Sequence, residues 1–279
     1  MGIRIVSDSS SNLLALADVN YTTVPLKIIT DQREYVDAPS IDVLGMMQDL
    51  KVIKTRTQTS CPNPFEWREA FGESDDVFAV TITSNLSGSF AAASRAAADA
   101  LEENPSRKIF VIDSLSTGPE MQLLIEKLRD GILAGLDFEE IREQVVGYAT
   151  HTHLLFSLQS LANLARNGRV SPVVAKVAGL LGIRVVGVAS EIGTLELLHK
   201  PRGREKTLDT IWSEMKKRGY CGGKVRIAHC DNSEKAGALS CRILAEFPGA
   251  DVMVIPTTAL CSYYAELGGL MVGFEDIES

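Results

Sequence analysis

An apolar run, Val77-Phe78-Ala79-Val80-Thr81-Ile82, opens into Thr83-Ser84-Asn85-Leu86-Ser87-Gly88-Ser89-Phe90 and then into an alanine-rich segment, Ala91 to Leu101. The first reads as a buried strand and the last as a helix. A strand that feeds a helix through so short a loop is half of a βαβ unit, and the first half of the chain repeats it. Ile3 to Val6 reads as a strand, with a helix expected from Leu13, capped by Asn12 or a preceding serine. Thr22 to Ile29 reads as a strand broken at Pro25, Asp42 to Leu50 as a helix, and Lys108 to Ile112 as a strand. Residues 120–134 and 138–149 follow as amphipathic helices. Such alternation predicts an α/β fold with a mostly parallel sheet and flanking helices.

The second half has a different texture. Leu154 to Leu158 reads as a strand and Leu161 to Arg166 as a short helix closed by Gly168. A helix is expected from Ser171 to Leu181. Ile183 to Ala189 and Leu195 to His199 flank a turn and predict an antiparallel hairpin. Arg202 to Lys217 and residues 233–247 read as helices, and Lys224 to Ala228 and Asp251 to Ile255 as strands. The expectation is a C-terminal α+β domain, with 1–155 and 156–279 as the two units and a ligand between them.

Ligands of open α/β sheets bind where loops leave the carboxyl ends of the strands. Three such loops are rich in hydroxyls: Ser7 to Ser11, Thr81 to Ser89 and Asp113 to Thr117. Serine hydroxyls and free N–H groups at a helix start suit a phosphate or carboxylate. An ordinary capping loop uses the same residue types. No strong base stands beside Ser87 in sequence, so holding an anion is favoured over attacking a substrate.

Composition narrows the partners. The net charge of −8 argues against nucleic acid and anionic membrane surfaces. No apolar run approaches the ~20 residues of a membrane span, so no stable membrane insertion is expected. The chain enters a strand within its first residues without a secretory segment, which predicts a cytoplasmic location. Cys61, Cys221, Cys230, Cys241 and Cys261 are odd in number and contain no C-x-x-C pair, consistent with free thiols. His151 and His153 have no accompanying cysteine or carboxylate cluster, so no metal is expected. His229-Cys230-Asp231 has catalytic residue types, but strand neighbours point to opposite faces. P-loop, G-x-G-x-x-G and G-x-S-x-G motifs are absent.

Several segments together resemble the DegV family of bacterial fatty-acid-binding proteins. Ser7 to Leu13 resembles its D-S-[ST]-x-[DN]-L opening, and Thr59 to Pro64 its T-S-Q-P-S-P segment with Cys61 in place of glutamine. Thr83 to Phe90 resembles S-S-x-L-S-G-[ST]-[YF], Val111 to Ser114 resembles V-x-D-S, and Leu161 to Ser171 resembles L-x-x-L-x-x-x-G-R-[IV]-S. Arg202 to Lys206 is similar to a basic helix start in that family. The resemblance implies a two-domain, non-enzymatic protein that encloses one long-chain fatty acid, with no cofactor. The partner it implies is a fatty acid kinase catalytic subunit, which would convert the carboxylate to an acyl phosphate. It assigns the carboxylate to Thr59, Ser60, Ser87 and Gly88, with Ser84 and Asn85 as weaker candidates and Arg169 as the cation. Arg169 also suits a helix C-terminus. The chain departs from the family at Tyr264, which stands at a histidine position, at Glu266, and at Pro119-Glu120-Met121. A phenol still donates to a carboxylate, whereas a nearby glutamate would repel it. The Val170–Val188 stretch is a candidate tunnel wall. Two other readings compete. One is a Ser-dependent hydrolase or phosphotransferase acting on a small anionic substrate; the other is a regulatory lipid sensor.

Overall fold

The computed structural model describes residues 2–178 and 183–277. In chain order the N-terminal elements are β1 (Arg4–Asp8), β2 (Asn20–Val24), β3 (Lys27–Ile29), β4 (Glu34–Val36), α1 (Val43–Val52), β5 (Gln58–Ser60), α2 (Pro64–Phe71), β6 (Asp76–Thr81), α3 (Ser89–Glu103), β7 (Lys108–Asp113), α4 (Pro119–Leu133) and α5 (Phe138–Ala149). The remainder are β8 (Thr152–Leu158), α6 (Ala162–Arg166), α7 (Pro172–Ala178), β9 (Val185–Ala189), β10 (Leu195–His199), α8 (Arg204–Lys217), β11 (Val225–His229), α9 (Ser233–Glu246), β12 (Val252–Pro256), α10 (Ala259–Ala265) and β13 (Leu270–Glu275).

Strands β2-β1-β6-β7 form an all-parallel sheet. Its central strands are apolar on both faces, as a sheet covered on both sides requires. Trp67, Phe71 and the alanines of α3 cover one face, and Leu124, Leu128, Phe138 and Ile141 of α4 and α5 cover the other. The second sheet, β10-β9-β8-β13-β11-β12, is mixed, with only β11 and β12 parallel. One of its faces packs on α8 and α9 through Ile211, Trp212, Leu239 and Ile243. Its other face meets Ile28, Met46 and Met47 from the N-terminal half. A small antiparallel sheet, β4-β3-β5, completes the fold. The α/β architecture expected from the sequence is therefore present. The chain enters the second sheet at Thr152, and residues 155 and 156 lie within β8.

Helix α4 joins the two sheets. Beyond its contacts with the parallel sheet, Glu126 accepts from Arg226 Nη2 of β11 at 2.7 Å, and Glu120 accepts from Thr152 Oγ1 of β8 at 2.9 Å. Close approach also needs Gly273 of β13, where a Cβ would lie 2.5 Å from the Pro119 carbonyl carbon.

The helix expected from Leu13 does not form. Ser9–Ser11 make one 3₁₀ turn, and Asn12 adopts a left-handed conformation with φ 63°. The Asn12 side chain is committed elsewhere: it donates to Pro256 O at 2.9 Å and accepts from Thr258 N at 2.5 Å. It ties the first sheet to the second and is not available as a helix cap. Thr22 to Ile29 divides at Pro25 into strands of different sheets. The expected helix from Ser171 begins at Pro172; residues 179–181 of that reading lie outside the described residues.

Candidate functional site

A cavity of about 310 Å³ lies between the two halves. Its polar lining comes from separate elements. Thr59 and Ser60 end β5, whose position is fixed by antiparallel pairing with β3. Cys61 follows before α2, which begins with a capping box between Asn63 and Glu66. Ser87 and Gly88 precede α3. Arg169 leaves α6 through the left-handed turn at Gly168, which has φ 75°. Tyr264 projects from α10.

These groups form a contiguous ring. Thr59 Oγ1 and Tyr264 Oη are 2.6 Å apart. The Arg169 guanidinium carbon lies 6.0 Å from the Tyr264 ring centre. Arg169 Nε donates to Leu86 O at 3.1 Å and Nη1 donates to Asn167 O at 2.6 Å, aiming the cation toward the Ser87 loop. A Cβ on Gly88 would sit 3.3 Å from Cys61 Sγ. Burial raises the Tyr264 phenol, so it is protonated at neutral pH and available as a donor. The rest of the lining is largely apolar: Leu154, Phe156 and Leu158 of β8, Met271 of β13, and Leu26, Ile82, Leu164, Leu195 and Leu260. Along β8 these are alternate residues, so the period of two delivers one greasy face to the cavity.

Six of the eight site residues expected from sequence line the cavity: Thr59, Ser60, Ser87, Gly88, Arg169 and Tyr264. Ser84 and Asn85 do not. Ser84 N donates to Asp113 Oδ1 at 3.1 Å, and Asn85 Nδ2 donates across to Ile192 O at 2.6 Å in the β9–β10 turn. Both are exposed and hold loops together. Among the residues of the Val170–Val188 stretch whose side chains are described, none lines the cavity. Residues 179–182 of that stretch lie outside the described residues. β8 supplies the wall, which its apolar run signalled without showing which face turned inward.

The Ser7 to Ser11 loop is not an anion cradle. Asp8 lies fully buried beneath it and accepts from Ile82 N at 2.9 Å and Ser89 Oγ at 2.6 Å, as well as from Ser10. Burial pushes this carboxyl up, against the donors that pull it down. Ser9 Oγ accepts from Leu26 N at 3.0 Å. These hydroxyls lock strand ends together. Asp37 does similar work at the start of α10, accepting from Ala259 N at 2.7 Å and Leu260 N at 3.1 Å. Glu266 is held away from the cavity lining; its Oε1 accepts from Ser160 Oγ at 2.9 Å and Asn163 N at 3.2 Å.

Ser87 Oγ accepts from Ser89 N at 3.3 Å and has no hydrogen-bonded base among the described residues. His151 and His153 both bond to Asp276, at 2.8 and 3.1 Å, and no metal-binding group of three or more His, Cys, Asp or Glu occurs among the described residues. His229 Nδ1 accepts from Asn232 N at 3.2 Å, while Cys230 is buried. No helix of the described residues is long and apolar enough to cross a membrane.

Two sheets joined through α4 and a ring of hydroxyl and guanidinium donors opening onto a greasy chamber define a ligand-enclosing α/β protein. Residues 2–276 match the family described as "Uncharacterised protein, DegV family", and the chain belongs to it. It is 43% identical over 276 residues to a DegV domain-containing protein of Streptococcus pneumoniae, covering 98% of both chains. Among solved structures it is similar to a DegV family protein from Eubacterium eligens loaded with heptadecanoic acid, with TM-score 0.97 and 43% identity over 99% of this chain and 100% of that one. The Streptococcus pneumoniae Fatty Acid Kinase (Fak) B3 protein loaded with linoleic acid is equally alike, with TM-score 0.97 and 42% identity over 99% of this chain and 100% of that one.

Proposed function

We propose that this protein binds a long-chain fatty acid without turning it over and presents the carboxylate to the catalytic subunit of a fatty acid kinase. The carrying observation is the single cavity shared by the polar ring and the apolar chamber. Arg169 supplies the charge opposite a carboxylate, and Thr59, Ser60, Ser87 and Tyr264 supply hydroxyl donors. Burying about 15 methylenes at ~0.8 kcal/mol each contributes on the order of 12 kcal/mol before association costs of about 4–15 kcal/mol. Each charge-assisted hydrogen bond adds about 1.5–3 kcal/mol. The tail therefore governs affinity and the ring governs orientation. The chain works as two units joined near residues 150–151, with α4 as the shared helix, and acts in the cytoplasm.

Native mass spectrometry of protein made in bacteria tests the reading, with a co-purified long-chain fatty acid as the expected result. Mixing the loaded protein with a fatty acid kinase catalytic subunit and ATP then yields acyl phosphate, and neither protein alone does. A lipid-free protein with esterase or phosphatase activity lost in Ser87→Ala would establish the hydrolase reading instead.

A further inference from the structure

A second constellation of charge lies outside the cavity lining, where β9, α8 and α9 begin. Arg184 immediately precedes β9, Arg204 opens α8, and Lys235 lies in the first turn of α9. The fold draws them together. Arg184 N donates to Pro201 O at 3.0 Å, which pins the start of β9 to the approach to α8. Arg184 Nη1 and Asn232 Nδ2, from the residue before α9, both donate to Gly268 O, at 3.0 and 2.9 Å. Arg204 pairs with Glu234, joining the starts of α8 and α9.

The charges do not balance. Glu234 is the acidic group paired within this cluster, and its side chain is 77% exposed. Lys235 Nζ makes no hydrogen bond or ion pair among the described residues, and Arg204 Nε is buried without a partner among them. Burial, with Arg184 and Arg204 close by, pushes the Lys235 ammonium down to about 8. Neither Gly203 nor Asn232 supplies a side-chain cap to the helix it precedes. Crowding like charges in a chain of net charge −8 is unfavourable unless an anion offsets it. Three cations against one carboxylate leave two positive charges. A phosphate ester carries about −1.5 to −2 at neutral pH with three acceptor oxygens, and arginine forks match that geometry.

We propose that Arg184, Arg204 and Lys235 form a binding site for a phosphate group, separate from the lipid cavity. None of the three lines that cavity, so the site is independent of the fatty-acid reading. Its source is either free phosphate or a phosphate ester such as a nucleotide.

Isothermal titration of the full, lipid-loaded chain with inorganic phosphate and, separately, with AMP, in about 0.15 M salt, tests the site. Saturable one-to-one binding is expected. It weakens at least tenfold in Lys235→Gln and in Arg204→Gln, recovers in Lys235→Arg, and stays unchanged in Arg169→Gln. Equal affinity for both probes supports a site for the phosphate group itself, and tighter AMP binding supports a nucleotide site. Absence of saturable binding, equal binding in both cluster variants with unaltered melting, or loss only in Arg169→Gln overturns the proposal.

Discussion

The Thr59–Tyr264 pair gives the most discriminating test of the headgroup assignment. Two hydroxyls 2.6 Å apart hold two protons, and only one lies between them. The second is free to point into the cavity at a carboxylate. Thr59→Val leaves the Tyr264 phenol to donate, and Tyr264→Phe leaves the Thr59 hydroxyl to donate. Each single change removes one neutral hydrogen bond, worth about 0.5–1.5 kcal/mol, which weakens fatty acid binding about two- to tenfold. The double variant also removes the charge-assisted donor that this pair contributes, for about 1.5–3 kcal/mol more. The double-mutant cycle therefore gives a coupling of at least about 1 kcal/mol, with the double variant about tenfold weaker than the product of the single effects. Displacement of a fluorescent fatty acid measures affinity, and urea unfolding confirms that each variant folds. Strictly additive effects, or a double variant within twofold of the parent, would refute the shared-proton argument.

Ser84→Ala and Asn85→Ala should leave fatty acid affinity within about twofold, because neither residue lines the cavity; equilibrium titration checks this. Glu120 is 7% exposed, and burial pushes its carboxyl up to about 7 from an ordinary 4.5. The folded state then holds that proton more tightly than the unfolded chain, so stability from this group is full below 4.5 and lost as pH rises through 7. The loss is about 3 kcal/mol, and urea unfolding of Glu120→Gln across that window should lack it. Arg226→Met strands Glu126, whose side chain is 4% exposed, and should cost about 3–5 kcal/mol. Glu126→Leu in the same chain should restore most of that, as read by chemical denaturation.

Family resemblance pointed to Thr59, Ser60, Arg169 and Tyr264; the strand–helix alternation, the second-half hairpin and the hydroxyl loop at Ser87 were legible in the residues themselves. Each depends on signals within a few residues: apolar runs, turn residues and hydroxyl loops. The helix expected at Leu13 fails because Asn12 spends its side chain on Pro256 and Thr258, partners more than 240 positions away. Small elements such as β4, β5 and α10 carry weak local patterns and are stabilised by long-range pairing and packing. The same logic separates Ser87, which lines the cavity, from Ser84 and Asn85, only two or three residues earlier. Local sequence determined that hydroxyl loops would sit at strand ends beside apolar walls. The docking of the second sheet on Ile28, Met46 and Met47, with α4 between the sheets, decided which loops faced a cavity and which were consumed as locks. Hydrogen bonds between distant segments are set by where the backbones meet, and no short stretch of sequence encodes that meeting.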